Sequence, residues 1–292
     1  MRPWFLLVPV LVALSACGTL SRSGGYYQDD GPEARPPADV MAIPDAVPKS
    51  EPKSAKGNNP YAVEGKTYYP LTDIAGYRER GVASWYGKKF HGRRTSSGEP
   101  YDMYAMTAAH KTLPLPCYVR IRNLENGRVI VARVNDRGPF LHNRLIDLSY
   151  AGAARLGILG TGTGLVEVEA INPGESEIQV AKAGTPAVEI FPYVAAGEEP
   201  PKPSATVAAP KLYLQAGAFS QMDNAVNLRN RLERGSAQPV FVQSALVSNS
   251  TTQEPARIYR VRIGPLASVE EGDRLSQQLT QAGVPDALIV VE

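Results

Sequence analysis

Three side chains have the chemistry for acid–base work, and each stands where a strand-like or loop segment ends. Asp136 lies in Val134-Asn135-Asp136-Arg137-Gly138-Pro139-Phe140. The strand-like run Arg128 to Val134 stops there against Gly138-Pro139, a strong turn signal. The carboxylate is therefore expected at the rim of a β-structure, where loops on a rigid scaffold tend to carry chemistry. The same spacing also fits an Asx-type turn, in which the carboxylate only satisfies nearby backbone N–H groups. Glu99, in Ser97-Gly98-Glu99, reads on its own as a solvated loop carboxylate. His110, in Ala108-Ala109-His110, reads as a strand-end imidazole bonded to a carboxylate, a group that equally orients an acid. Asp147, between Ile146 and Leu148, either caps a helix starting at Ser149 or supports Asp136.

Other chemistries fit poorly. His91, His110 and His142 lack a ligand spacing such as H-x-x-x-H, so no metal is expected. Ser96, Ser97 and Cys117 stand in neither a G-x-S-x-G elbow nor a Cys–His signature, so no nucleophilic mechanism is expected.

The Asp136 motif has company upstream: Trp85-Tyr86-Gly87, Thr95-Ser96-Ser97-Gly98-Glu99 and Thr107-Ala108-Ala109-His110-Lys111-Thr112-Leu113-Pro114. Together these closely resemble the rare lipoprotein A family of septal endolytic peptidoglycan transglycosylases, nearly continuously from about Tyr68 to Gly160. The resemblance implies a six-stranded double-psi β-barrel, no cofactor, and a catalytic set of Asp136 as acid/base with Glu99 and His110. Cleaving a glycosidic bond needs an acid to protonate the leaving oxygen and stabilisation of an oxocarbenium-like centre. In lytic transglycosylases the sugar's own C6 hydroxyl attacks, so no activated water is required. Arg137 then pairs with a lactyl carboxylate of the glycan or with Asp147. The alternative is a non-catalytic, expansin-like wall-binding protein on the same barrel.

Length and charge are consistent with two domains. A chain of 292 residues accommodates two of ordinary size, and the formal net charge of +2 excludes polyanion binding by bulk electrostatics. Residues 81–172 hold twelve Lys/Arg against seven Asp/Glu, whereas 211–292 hold eight of each. The first segment suits an anionic partner better than the second. At the N-terminus an apolar run from Trp4 to Ala13 leads into Leu14-Ser15-Ala16-Cys17. The run is too short to span a membrane and reads as a signal peptide over 1–16. It resembles a lipobox, implying acylation at Cys17, with Gly18 favouring the periplasmic side of the outer membrane. Cys117 is then left without a disulfide partner and is expected to be a buried, inert thiol.

The remaining organisation follows composition and period. Residues 17–60 contain seven prolines between Gly31 and Pro60 and read as a disordered tether. The barrel is expected over 61–172, with Lys66 to Leu71 packed against it and a strand over Val82 to Tyr86. Tyr118 to Arg122 alternates as a half-buried strand, and Asn126-Gly127 signals a hairpin turn. Val129 to Ala132, continuously apolar, is expected to be covered on both faces. A short helix is expected from an N-cap at Ser149 to Leu156, with Gly157 beyond its end. Residues 173–210 read as a second linker, in which Val188 to Phe191 is an apolar spot without explanation. Residues 211–292 predict βαββαβ: strands over Leu212–Phe219, Pro239–Leu246, Ile258–Ile263 and Ala287–Val291, and helices over Gln221–Arg234 and Ser268–Ala282.

Leu214 to Phe219 and Tyr259 to Leu266 resemble the SPOR module. That resemblance implies binding of glycan strands stripped of stem peptides, denuded by amidases, at the division septum. Gln215, Phe219, Tyr259 and Arg262 are the expected binding residues. RNA-recognition modules share the architecture, but the balanced charge and the absence of an aromatic-rich basic strand argue against nucleic acid. The whole is expected to be monomeric.

Overall fold

A computed structural model describes residues 30–33, 36–173, 210–248 and 255–292. Cys17 and the 188–191 spot lie outside the described residues.

The first domain is a closed barrel of six strands: β3 (Arg78–Trp85), β4 (Thr107–His110), β5 (Cys117–Asn123), β6 (Val129–Asp136), β7 (Ile146–Leu148) and β8 (Gly164–Ile171), in the order β3-β7-β4-β6-β5-β8. Two of its pairings, β3 with β7 and β4 with β6, are parallel; the other four are antiparallel. Each parallel pair brings two strand ends to the same rim, and this places Asp136 of β6 opposite Ala109 of β4, beside Asp147 of β7. The interior is filled by alternate residues, among them Val119, Ile121, Ile130, Ala132, Val134, Val166 and Val168, all at most 1% exposed. Helix α1 (Tyr150–Leu156) starts at Ser149, whose hydroxyl accepts from Gly152 N, and stops at Gly157 in the left-handed region at φ +81°. Cys117 is buried and free, its thiol pushed up to about 12 by desolvation.

Strand β6 departs from expectation. Its burial alternates, with Val129 38% exposed, because the barrel wall has one face to the core and one outward. The larger correction concerns residues 36–60, expected to be a free tether. They lie along the barrel. Ala46 N donates to Val131 O at 3.0 Å, beyond the register of β4 on β6, and Ser54 N donates to Leu115 O at 2.8 Å. Asn58 bonds Leu115 on both sides, and Glu51 and Asp45 pair with Arg133 and Arg155. A proline-rich chain buries little apolar surface, but an extended one still supplies donors to unpaired barrel carbonyls. This strap leads into the hairpin β1 (Tyr61–Val63) and β2 (Lys66–Tyr68), closed by Glu64 and Gly65, both at positive φ.

The second domain follows the expected order. Strands β9 (Leu212–Phe219), β10 (Val240–Ser248), β11 (Pro255–Leu266) and β12 (Leu288–Val291) form an antiparallel sheet in the order β10-β11-β9-β12. Helices α2 (Met222–Glu233) and α3 (Val269–Gln281) pack one face through Ala225, Leu228, Leu232 and Leu279 onto Leu214, Val261 and Ile263. Ser268 caps α3, its hydroxyl accepting from Glu271 N.

Candidate active site

A cleft opens at the barrel rim where β3, β4, β6 and β7 end. Its lining includes Ser84, Trp85, Tyr86, Asp136, Asp147 and the turn Gly138 to Leu141, with Asp30 along one side. Three sequence candidates, Asp136, Arg137 and Asp147, border it.

Asp136 closes β6 with an ordered hydrogen-bond set. Its Oδ1 accepts from Ser96 N at 2.8 Å, Ser96 Oγ at 2.8 Å and Arg137 N at 2.7 Å. Three donors thus converge on one oxygen of this carboxyl. The Asx-type bond to the next residue is thus present, but as one part of a wider cradle. Asp147 lies on β7 between two core residues, and burial pushes its carboxyl up to about 6; the Ser84 hydroxyl donating to its Oδ1, and the Arg144 and Lys111 cations, oppose that rise, while the Asp136 charge adds to it. It does not cap α1, since Ser149 does so itself. The rim therefore holds two neighbouring carboxyls in unlike environments, the arrangement by which one group stores a proton that another uses.

Glu99 is held elsewhere. Its two oxygens accept from Arg133 Nη1 at 2.7 Å and Nη2 at 2.9 Å, and Asn135 Nδ2 donates to it at 3.0 Å. The Arg133 contact holds its carboxyl below the usual range, so it is a fixed anion beside the last residues of β6 and no proton donor. Arg133 is shared with Glu51 of the strap, whose carboxyl the same guanidinium pulls down to about 2.

His110 does not line the cleft. It is 3% exposed, and its Nδ1 accepts from Leu113 N at 2.9 Å and Thr112 N at 3.2 Å. Nε2 therefore carries the hydrogen and donates to Tyr77 Oη at 2.9 Å, whose own hydroxyl donates to Glu79. Burial pushes the imidazole down to about 3, so it is neutral. The carboxylate expected beside it is reached only through Tyr77. Arg137 borders the cleft, but its guanidinium is engaged elsewhere, correcting both pairings expected for it. Its guanidinium donates to the carbonyls of Gly57, His110 and Leu113 and to Asn58 Oδ1, and Tyr61 stacks 5.7 Å from it. It pins strap to barrel and leaves nothing for Asp147 or a ligand carboxylate.

In the second domain the strand period sets two of the four expected residues on the covered face. Phe219 and Tyr259 pair across β9 and β11 on the helix-covered face and pack against the core. Arg262 is on the open face but 2% exposed, laid over Tyr213 at 5.9 Å and paired with Glu292. Gln215, opposite Arg262, keeps its place on that face. The residues beside it that type-based reading missed are Tyr213 and Phe241, edge to face at 5.7 Å, with Gln243 and Arg260 next in register. Among the described residues no three His, Cys, Asp or Glu side chains gather as a metal site.

Two family models match the chain: one described as lytic transglycolase over residues 78–169, and the SPOR domain over 208–290. The chain is 42% identical over 286 residues to the endolytic peptidoglycan transglycosylase RlpA of Pseudomonas aeruginosa, covering 86% of this chain and 82% of that protein. It is 36% identical to the protein of the same name from Vibrio cholerae, covering 96% and 94%. The chain belongs to the RlpA family. The RlpA of Neisseria meningitidis serogroup B is 54% identical over 135 residues, 46% of this chain. Among solved structures, the RlpA SPOR domain of P. aeruginosa is 34% identical, covering 27% of this chain and 96% of that one with a TM-score of 0.24. The lytic transglycolase match spans the stretch of this chain that holds Glu99, His110, Asp136 and Asp147.

Proposed function

We infer that this chain is an endolytic peptidoglycan transglycosylase that cuts glycan strands without water. The observation that carries the reading is the rim cleft, where Asp136, held by Ser96 and the Arg137 N–H, stands beside the buried Asp147 of the RlpA-type barrel. Asp136 gives its proton to the glycosidic oxygen as the bond to the muramic C1 breaks. The C6 hydroxyl of the same sugar then adds to C1, and its proton passes to the Asp136 carboxylate, restoring the acid. The product ends in 1,6-anhydro-N-acetylmuramic acid, and no net proton or water is consumed.

The other groups act by position. Glu99 and Glu51 fix Arg133 and so the end of β6; His110 and Arg137 fix the 111–113 loop and the strap. Peptide-free strands prepared by amidases are the substrate, held by the open face of the second domain around Tyr213, Gln215 and Phe241. Such a ligand is neutral and hydroxyl-rich, and suits aromatic and amide groups. A lipid on Cys17 places the chain on the periplasmic side of the outer membrane, at the septum, as a monomer. The reading is tested by digesting amidase-treated sacculi with the purified chain and weighing the soluble products. Anhydro-ended fragments support it; reducing ends make the protein a hydrolase. Binding without release makes it the expansin-like wall binder.

A further inference from the structure

The segment that forms the lip of the cleft also grips the second domain. Gly138 to Leu141 line the cleft, and Asp147 lines it again. Between them, His142, Asn143 and Arg144 reach across to α3 and to the chain around β12. Arg144 donates from Nη1 at 3.1 Å and Nη2 at 2.7 Å to the two oxygens of Asp273. Asn143 Nδ2 donates to the same carboxylate at 3.1 Å, while its Oδ1 accepts from Ile289 N at 3.1 Å. His142 Nε2 donates to Ala287 O at 2.6 Å. Asn143 makes these contacts from a left-handed backbone at φ +62°, a conformation Asn tolerates better than most residues. Around the polar grip, Val82 of β3 and Leu165 of β8 join the apolar cluster of Leu212, Leu266 and Val269.

The grip is asymmetric in a way that ties it to the cleft. The Arg144 side chain is 5% exposed and Asp273 29%. Removing Asp273 leaves a buried cation on the barrel side without its carboxylate, the outcome that makes breaking a buried pair severe. Residues 142–144 must then move to hydrate the charge. They are joined to the cleft-lining Gly138 to Leu141 on one side and, through Leu145 and Ile146, to Asp147 on the other.

We propose that the second domain is a brace for the cleft: through Asp273 and β12 it holds residues 142–144 and thereby fixes the lip at 138–141. The docked arrangement keeps the lip in one conformation, and undocking releases it. By linkage, any ligand that favours the docked domain also orders the lip, and a cleft ligand that binds the ordered lip more tightly strengthens docking.

The test is hydrogen–deuterium exchange on the full chain, a readout independent of whether the cleft cuts glycan. Asp273→Ala is expected to speed exchange over 138–147 by roughly tenfold or more while β5 and β8 stay protected. Exchanging the charges, Asp273→Arg with Arg144→Asp, restores much of the protection. Asn143→Asp, which keeps shape but sets a like charge against Asp273, loosens the same peptide and decides the matter if Asp273→Ala disturbs α3 itself. Exchange over 138–147 that stays at the wild-type rate in Asn143→Asp, with α3 intact, overturns the proposal. So does a charge exchange that restores nothing.

Discussion

Asp147→Asn tests the electrostatics of the cleft through stability rather than turnover. Burial raises the Asp147 carboxyl from 3.8 to about 6, so folding disfavours its ionised form. The folded state then binds a proton the unfolded state has already lost. The stabilisation is complete below the unfolded value near 4 and is lost as pH rises through about 6. The full span is about 3 kcal/mol, of which roughly half disappears between pH 5 and 7. In a barrel of this size that half shifts the melting temperature by roughly 5 °C. The amide of Asp147→Asn is isosteric, accepts from Ser84 as before and does not ionise. The melting temperature of the variant minus that of the wild type should therefore rise by roughly 5 °C from pH 5 to pH 7, because charges common to both proteins cancel. Thermal unfolding followed by circular dichroism at the two pH values measures it. A difference that is flat or falls with pH refutes the burial argument, and with it the unlike carboxyl pair.

Three further outcomes are expected. Glu99→Gln leaves Arg133 to Glu51 and loosens the end of β6; steady-state kinetics should show kcat lowered by about 10–10²-fold with KM little changed, and unchanged kcat would remove Glu99 from the account. In the second domain, Tyr213→Ala with Phe241→Ala should weaken pull-down of amidase-treated sacculi by about tenfold, whereas Tyr259→Phe on the helix side should not; the reverse order would put the binding face on the wrong side of the sheet. Cys17→Ala should abolish palmitate labelling and release the protein from the outer-membrane fraction, and labelling that persists would end the lipoprotein reading.

What was legible in the sequence was local. The strand ending at Gly138-Pro139, the Ser149 cap and the turn at Asn126-Gly127 are each decided by residues within a few positions of one another. The partners of Arg137 were not legible. Its guanidinium rests on carbonyls of Gly57 and Leu113, 80 and 24 residues away, and a carbonyl has no sequence signature. The strap was misread for a related reason: composition reports that it has little to bury, and is silent about the barrel carbonyls at Val131 and Leu115 that await a donor. His110 and Glu99 were recognised by motif, which fixes position along the chain but not which way a side chain turns. Phe219 and Tyr259 look like sugar-stacking residues by type alone, although the alternation of β11 already sets Tyr259 with Val261 and Ile263 and against Arg260 and Arg262. The burial of Asp147 is not legible in its own stretch, because Ser84, Lys111 and Asp136, which face its carboxyl, come from three other parts of the chain.

The central claim is that Asp136 delivers the proton in a cut completed by the sugar's own hydroxyl. Its most direct measurement is a paired digestion of amidase-treated sacculi by wild type and Asp136→Asn, with soluble products identified by mass. Loss of a general acid–base lowers the rate by about 10²–10⁴-fold. The account predicts anhydro-ended fragments from the wild type and almost none from the variant, which still folds and still binds the sacculi. Anhydro products released by Asp136→Asn at the wild-type rate would contradict it.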